Sequence, residues 1–353
     1  VKLLVARTDR LGDLVLSLPV IPFLKSQRPD LELHMLVAPG TVPLVECHPE
    51  VTRVWTWVPN DPCVRRDLLR AFRKEGFDAV LMLQYDHQLA TLLRKAGIPL
   101  RHGPYSRISS WFQLNRGMRQ NRSRCRHHEM DYNLQLAAKV VGGKLPDSTP
   151  GPELHLTEGQ REKGREFRLE HAPGASVVAF VHPGSGGSAL DWDPVRFAGV
   201  ANSLAALEGF AVFVTGAGND ARFVDLMRPV LQPEVGVLLD QFALRDFLGV
   251  LSAGDLMIGP STGPLHLAAA LGLATVGLYP PVATMSPDRW GPRGALVRTL
   301  VPPVKCPADK YCHGEKCEFH NCLKMIYERD VLDLALALLK EKEARSHPRE
   351  ELS

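Results

Sequence analysis

Short apolar runs alternate with longer stretches of helical periodicity along most of this chain. The rhythm predicts βαβ units: buried parallel strands read as near-continuous apolar runs, whereas crossover helices carry a 3.6-residue period. In the first half the runs predict strands near residues 2–6, 31–37, 52–57 and 78–83, with helices between them. From Arg101 to His128 the rhythm breaks, and a helix resumes near 129–141. Gly142, Gly143, Pro146, Pro150, Gly151 and Pro152 then predict a linker.

The second half restarts the pattern, with strands predicted near 177–181, 210–215, 235–239, 256–258 and 274–279. Asp193-Pro194 predicts a helix cap followed by Pro in the first turn, and Thr262-Gly263-Pro264 opens another helix. The expected organisation is a Rossmann-like α/β domain over 1–150, a second over 173–326, and a last helix and charged tail over 327–353 that return to the first domain. Doubly wound sheets of this kind hold ligands at the carboxyl ends of their strands.

A length of 353 residues agrees with two cores. The net charge of +3 is too small to imply nucleic acid as a partner. The first apolar residues run at once into Arg7, Asp9 and Arg10, so no signal peptide is expected, and no uncharged run is long enough for a bilayer. The expected location is cytoplasmic, with peripheral contact at the inner membrane face. Seven cysteines, an odd number, do not read as a secreted disulfide framework.

Candidate chemistry lies in three strand-to-helix turns. His182-Pro183-Gly184-Ser185-Gly186-Gly187 and Ser261-Thr262-Gly263-Pro264-Leu265-His266 offer small residues that let backbone N–H groups approach an anion at a helix N-terminus. Ser185, Gly186, Gly187, Ser261, Thr262, Gly263, Pro264 and His266 are therefore assigned to the diphosphate of a nucleotide-sugar donor. No Gly-x-Gly-x-x-Gly or Gly-Lys-Ser/Thr pattern follows, which argues against a nicotinamide cofactor and a P-loop. The third turn, Arg7-Thr8-Asp9-Arg10-Leu11-Gly12-Asp13, offers carboxylates instead. Asp13 is either a first-turn helix acid or a general base.

No Asp or Glu stands between His87 and His128, yet Arg94, Lys95, Arg101, Arg107, Arg116, Arg119, Arg122, Arg124 and Arg126 do, with Trp111 and Phe112 interleaved. The pattern is that of a solvated basic loop or of a surface for an anionic, lipid-linked acceptor. Arg7, Arg10, Arg116 and Arg119 are assigned to that acceptor. Cys306, Cys312, Cys317 and Cys322 are spaced more widely than the Cys-x-x-Cys pairs of most zinc sites, and no metal is assigned to them.

Four motifs in register resemble glycosyltransferase family 9, the ADP-heptose:lipopolysaccharide heptosyltransferases. They are Arg7 to Asp13 followed by Pro19, His182 to Gly186, Ser261 to Ala270, and Ser286-Pro287-Asp288-Arg289-Trp290-Gly291-Pro292. The resemblance implies a GT-B fold, two Rossmann-like doubly wound domains facing a central cleft. It also implies inverting transfer from ADP-heptose, a donor held by the C-terminal domain, an acceptor glycan held by the N-terminal domain, no further cofactor, and Asp13 as the base. Leu190 stands where many members carry Lys two residues before the tryptophan matching Trp192, and Ser261 stands where many carry Asp. These departures leave open a transferase of the same fold using another nucleotide sugar, or a nucleotide-sugar-binding protein without turnover.

Overall fold

The computed structural model describes residues 1–145, 150–187, 189–308 and 310–346; of the expected linker, Pro146 lies outside them. The chain forms two units, Val1–His155 and Leu156–Ser353. In the first, six parallel strands, β1 (Lys2–Arg7), β2 (Glu32–Val37), β3 (Arg53–Thr56), β4 (Ala79–Met82), β5 (Leu100–Pro104) and β6 (Arg116–Met118), take the order β3-β2-β1-β4-β5-β6. In the second, β7 (Val177–Val181), β8 (Phe210–Gly216), β9 (Val235–Leu239), β10 (Leu256–Pro260), β11 (Ala274–Leu278) and β12 (Val297–Leu300) take the order β12-β11-β10-β7-β8-β9. Read from the other edge, this is the same doubly wound order. In each sheet the strand order reverses between the first and fourth strands, so turns leaving β1 and β4, and those leaving β7 and β10, flank a crevice.

The predicted strands all form, and β5, β6 and β12 are additions. Sequences such as Leu-Arg-His-Gly-Pro and Arg-Gly-Met have no apolar run to announce them. They pair because a neighbouring strand presents a free edge: Tyr105 N–H already donates to Met118 O at 2.8 Å just past β5. The domain boundary also moves. Helix Glu158–His171 lies in the second unit and packs on helix Leu244–Ser252. Their approach needs glycine, since a Cβ on Gly249 would stand 2.4 Å from Gln160 O and one on Gly164 2.6 Å from Gly249 O.

The last helix, Glu328–Ser346, is placed differently from expectation. Val331, Ala335 and Leu338 are buried in the second unit's own core, against helix Pro194–Ala205 and β11. Lys342 Nζ to Asp255 Oδ1 at 2.8 Å pins its outer turn. No helix among the described residues is long and apolar enough to cross a membrane.

Candidate active site

In the first unit β1 ends on Arg7, and a tight turn leads into the five-residue helix Leu11–Val15 with Asp13 in its first turn. Arg7 is buried, and its guanidinium is fully engaged. Nε donates to Asp9 Oδ1 at 2.7 Å, Nη2 to Asp13 Oδ1 at 2.7 Å, and Nη1 to Glu129 Oε1 at 2.8 Å and Asn133 Oδ1 at 3.3 Å. Arg122 Nη1 also reaches Glu129 Oε1 at 2.7 Å. Asn133 Nδ2 donates to Ser17 Oγ at 3.0 Å, and that hydroxyl donates to Asp13 O at 2.7 Å. Asp13 is thus held from its carboxylate and from its backbone.

Burial pushes the Asp13 carboxyl up to about 6; Arg7 opposes the rise, while Asp9 and Glu129 add to it. A carboxylate in that range is ionised at neutral pH yet basic enough to take a proton. Arg7, expected at the acceptor, is instead the residue that positions Asp13.

A cleft of about 720 Å³ opens past the carboxyl ends of β4, β5 and β6, lined by Gln84, Tyr85, Tyr105, Arg107, Trp111 and Arg119 among others. Tyr105 and Trp111 stack with ring centroids 4.0 Å apart. Gly117 makes room, because a Cβ there would lie 2.2 Å from the Tyr105 ring. Arg119 lines this cleft, whereas Arg116 opens β6 at the strand's amino end and lies outside the lining. Arg10 is exposed beside Asp13, whose proton affinity it lowers.

In the second unit His182, just past β7, is buried, with Nδ1 3.0 Å from Thr215 Oγ1 and Nε2 3.6 Å from Asp220 Oδ2. Burial lowers its proton affinity. At Gly184 a Cβ would meet Asp220 Oδ1 at 2.1 Å, so a larger residue there would displace that carboxylate. Ser185, expected to face the donor, turns inward: its N–H donates to Asp191 Oδ1 and its hydroxyl to Ala189 O, both at 3.1 Å. Gly186 and Gly187, at φ +58° and +77°, form the exposed tip of the turn.

After β10, Thr262 is extended (φ −146°, ψ 161°) and heads helix Gly263–Ala270 without its side chain capping it. Pro264 is the second helical residue. Ser261 interacts with the buried Tyr279 hydroxyl, so it braces the turn from below. His266 is buried, Nδ1 has no hydrogen-bond partner among the described residues, and burial pulls its pKa down to about 4. The ring is neutral at pH 7. It can donate to a phosphate oxygen but brings no positive charge.

A family model, glycosyltransferase family 9 (heptosyltransferase), matches residues 65–316. The chain belongs to glycosyltransferase family 9. A Haemophilus influenzae protein named "Putative glycosyltransferase" is 30% identical over 82% of this chain and 86% of its own length. Lipopolysaccharide heptosyltransferase 3 of Escherichia coli is 22% identical over 76% of this chain and 80% of its own. The solved structure of E. coli ADP-heptose lps heptosyltransferase II superposes with a TM-score of 0.80 at 22% identity, covering 98% of this chain and 100% of that one. The fold is therefore GT-B, built of two Rossmann-like units, and the chain is a glycosyltransferase.

For this glycosyltransferase the sequence reading missed Glu129 and Asn133. The available signal was Glu129 as the first acid after the acid-free stretch, with Asn133 four residues on and therefore on the same helix face, amid apolar Met130, Leu134 and Leu136. Leu190 is half-buried against the second unit's core and shares a cavity with Trp192, Cys306, Cys312, Cys317 and Cys322. Burial raises the Cys322 thiol, and its three neighbouring thiols add to the rise.

Proposed function

We propose that this chain transfers a heptose from ADP-heptose to a lipopolysaccharide core or a related lipid-linked glycan, with inversion at the anomeric carbon. The observation that carries the reading is Asp13, a part-buried carboxylate with its pKa near 6, clamped by Arg7 at the switch point of the first sheet. In this reading Asp13 takes the proton of the acceptor hydroxyl as its oxygen attacks the anomeric carbon. The bond from that carbon to the diphosphate oxygen breaks, and ADP leaves. The turns at Gly186-Gly187 and Thr262-Gly263 hold the diphosphate, with His266 as a neutral donor. Arg119 and the stacked Tyr105–Trp111 pair receive the anionic glycan. Exposed Ile108, Trp111 and Phe112, beside Arg107, meet the inner membrane face. The names of the relatives support the donor and acceptor classes.

The test is ADP release from ADP-heptose with a lipid-linked core acceptor, measured beside a set of nucleotide hexoses. Turnover with ADP-heptose alone is the expected result. Leu190 motivates a second reading: an apolar residue packs where many members carry a phosphate-facing lysine, which suits a different donor. Turnover with another nucleotide sugar would establish that reading. Tight ADP binding with no release from any donor would make the chain a binding protein.

A further inference from the structure

Arg122 belongs to two neighbourhoods of the first unit at once. It heads the short turn Arg122–Arg124, between Asn121 at φ +47° and Cys125 at φ +48°, so the chain bends sharply on both sides of it. It lines the cleft of about 720 Å³ together with Arg119, Gln120 and Ser123. Its guanidinium also joins the ion cluster that holds Asp13. Nη1 donates to Glu129 Oε1 at 2.7 Å, the same oxygen that accepts from Arg7 Nη1 at 2.8 Å, and Arg7 Nη2 donates to Asp13 Oδ1 at 2.7 Å. Nε donates to Gln120 Oε1 at 2.9 Å. Of Arg7, Asp9, Asp13, Arg122, Glu129 and Asn133, only Arg122 is among the described residues that line the cleft. Exposure is graded in the same direction: the side chains of Glu129 and Arg7 are 1% and 2% exposed, that of Arg122 20%.

We propose that Arg122 is a positioning residue that couples the cleft to the base: an anionic substituent of the acceptor, phosphate or carboxylate, draws Arg122 away from Glu129 and so makes Asp13 a stronger base once the acceptor is in place. The inference deepens the proposed function and rests on Asp13 as the base. Its physical ground is the charge balance of the cluster, in which Asp9, Asp13 and Glu129 are paired with Arg7 and Arg122. The charged groups that face Asp13 are Arg7, Asp9 and Arg10 from the strand end and its turn, and Glu129 from helix Glu129–Val141. Arg7 and Arg10 lower its proton affinity, whereas Asp9 and Glu129 raise it. When Arg122 pairs with an incoming anion, Glu129 keeps Arg7 but loses one compensating charge. Its field at Asp13 is then less balanced, and Arg7 is drawn further toward Glu129. Both changes raise the proton affinity of Asp13. Burial of Glu129 and Arg7 keeps water from screening the effect. A guanidinium that reaches the cleft suits the role, because its planar fork binds phosphate or carboxylate as well as it binds Glu129.

The test reads the proton affinity of Asp13 directly, by NMR titration of the full chain labelled with carbon-13 at the aspartate carboxyls, with Asp13→Asn identifying the resonance. The wild type should half-titrate at about 6. Arg122→Met should raise the proton affinity by up to about tenfold, less than the roughly ten- to thousandfold of a charge in direct contact. Arg122→Lys, which keeps the charge, should stay closer to the wild type; a role in packing alone would not separate the two variants by their titration. Two probes at constant ionic strength then distinguish the sources of the anion. Inorganic phosphate and glucuronate are each added to the wild type until the Arg122 Nε resonance stops moving, and whichever one Arg122 accepts should raise the proton affinity of Asp13. This arm needs no variant, so misfolding of Arg122→Met leaves the test intact. Three results would overturn the coupling: an unchanged Asp13 titration in folded Arg122→Met, an Arg122 resonance that neither anion moves, or one that moves with no response at Asp13. None of these readouts needs turnover, so a failure of transfer from ADP-heptose would overturn the proposed function and leave the coupling standing.

Discussion

The turn after β1 and the turn after β7 occupy the same place in two sheets of the same strand order, and their chemistry is opposite. The first gathers Asp9, Asp13 and Glu129 around one buried arginine. The second offers two left-handed glycines at its tip and a buried neutral histidine at its base. A shared topology therefore positions a crevice in each unit without deciding what it binds. The difference lies in charge: the first turn concentrates carboxylates around one buried arginine, the second is an uncharged, glycine-tipped turn, and under the proposed function the first takes a proton and the second receives an anion. Opposed roles of this kind are what a two-substrate transfer requires.

The sharpest way to break this contrast is Asp13→Asn. The amide keeps the shape and loses the base, so turnover should fall about 10²- to 10⁴-fold while ADP affinity by calorimetry stays unchanged. The wild type should show a matching acid limb. With the Asp13 carboxyl raised to about 6, the base is protonated below that pH, so turnover rises as pH increases through about 6 and then levels. Near wild-type turnover in the variant, or a limb near pH 4, would remove Asp13 from the chemistry.

Arg7→Met tests whether the first turn depends on its arginine. Removing one member of a buried ion cluster leaves uncompensated charge and typically costs about 3 to 5 kcal/mol, measured by urea unfolding. Arg10→Met, at an exposed position, should change stability little. Equal effects of the two would show that the clamp is not what organises the turn.

On the second unit, Thr262→Val should weaken ADP binding by about ten- to hundredfold through loss of a hydrogen bond to a charged group, leaving the acceptor KM alone. Unchanged affinity in a folded variant would place the diphosphate elsewhere.

The smallest effect separates two arginines that look equivalent in the sequence. Arg119→Gln should raise the acceptor KM several-fold, since one basic residue near an anionic surface contributes about 1 kcal/mol, and the difference should shrink as salt rises. Arg116→Gln, outside the cleft, should leave it unchanged. Equal shifts would return the whole stretch to a diffuse basic surface.

What the sequence alone determined was local. Continuous apolar runs announced nine of the strands, Asp193 capped its helix as its position before Pro194 required, and the small-residue turns fell at strand ends. Each follows from periodicity or from the backbone preferences of a few adjacent residues. Tertiary structure alone decided the rest. Glu129 meets Arg7 across 122 positions of chain, so no local pattern marks it as part of the Asp13 clamp. Arg7 changed from an acceptor contact to a buried clamp, and Ser185 from an anion donor to an internal tie. The four loop cysteines, too widely spaced to suggest a site, came to share one cavity. Burial, proton affinity and partnership depend on which distant segments pack together, and a linear pattern carries that information only when the partners lie within a turn of helix or a pair of strands.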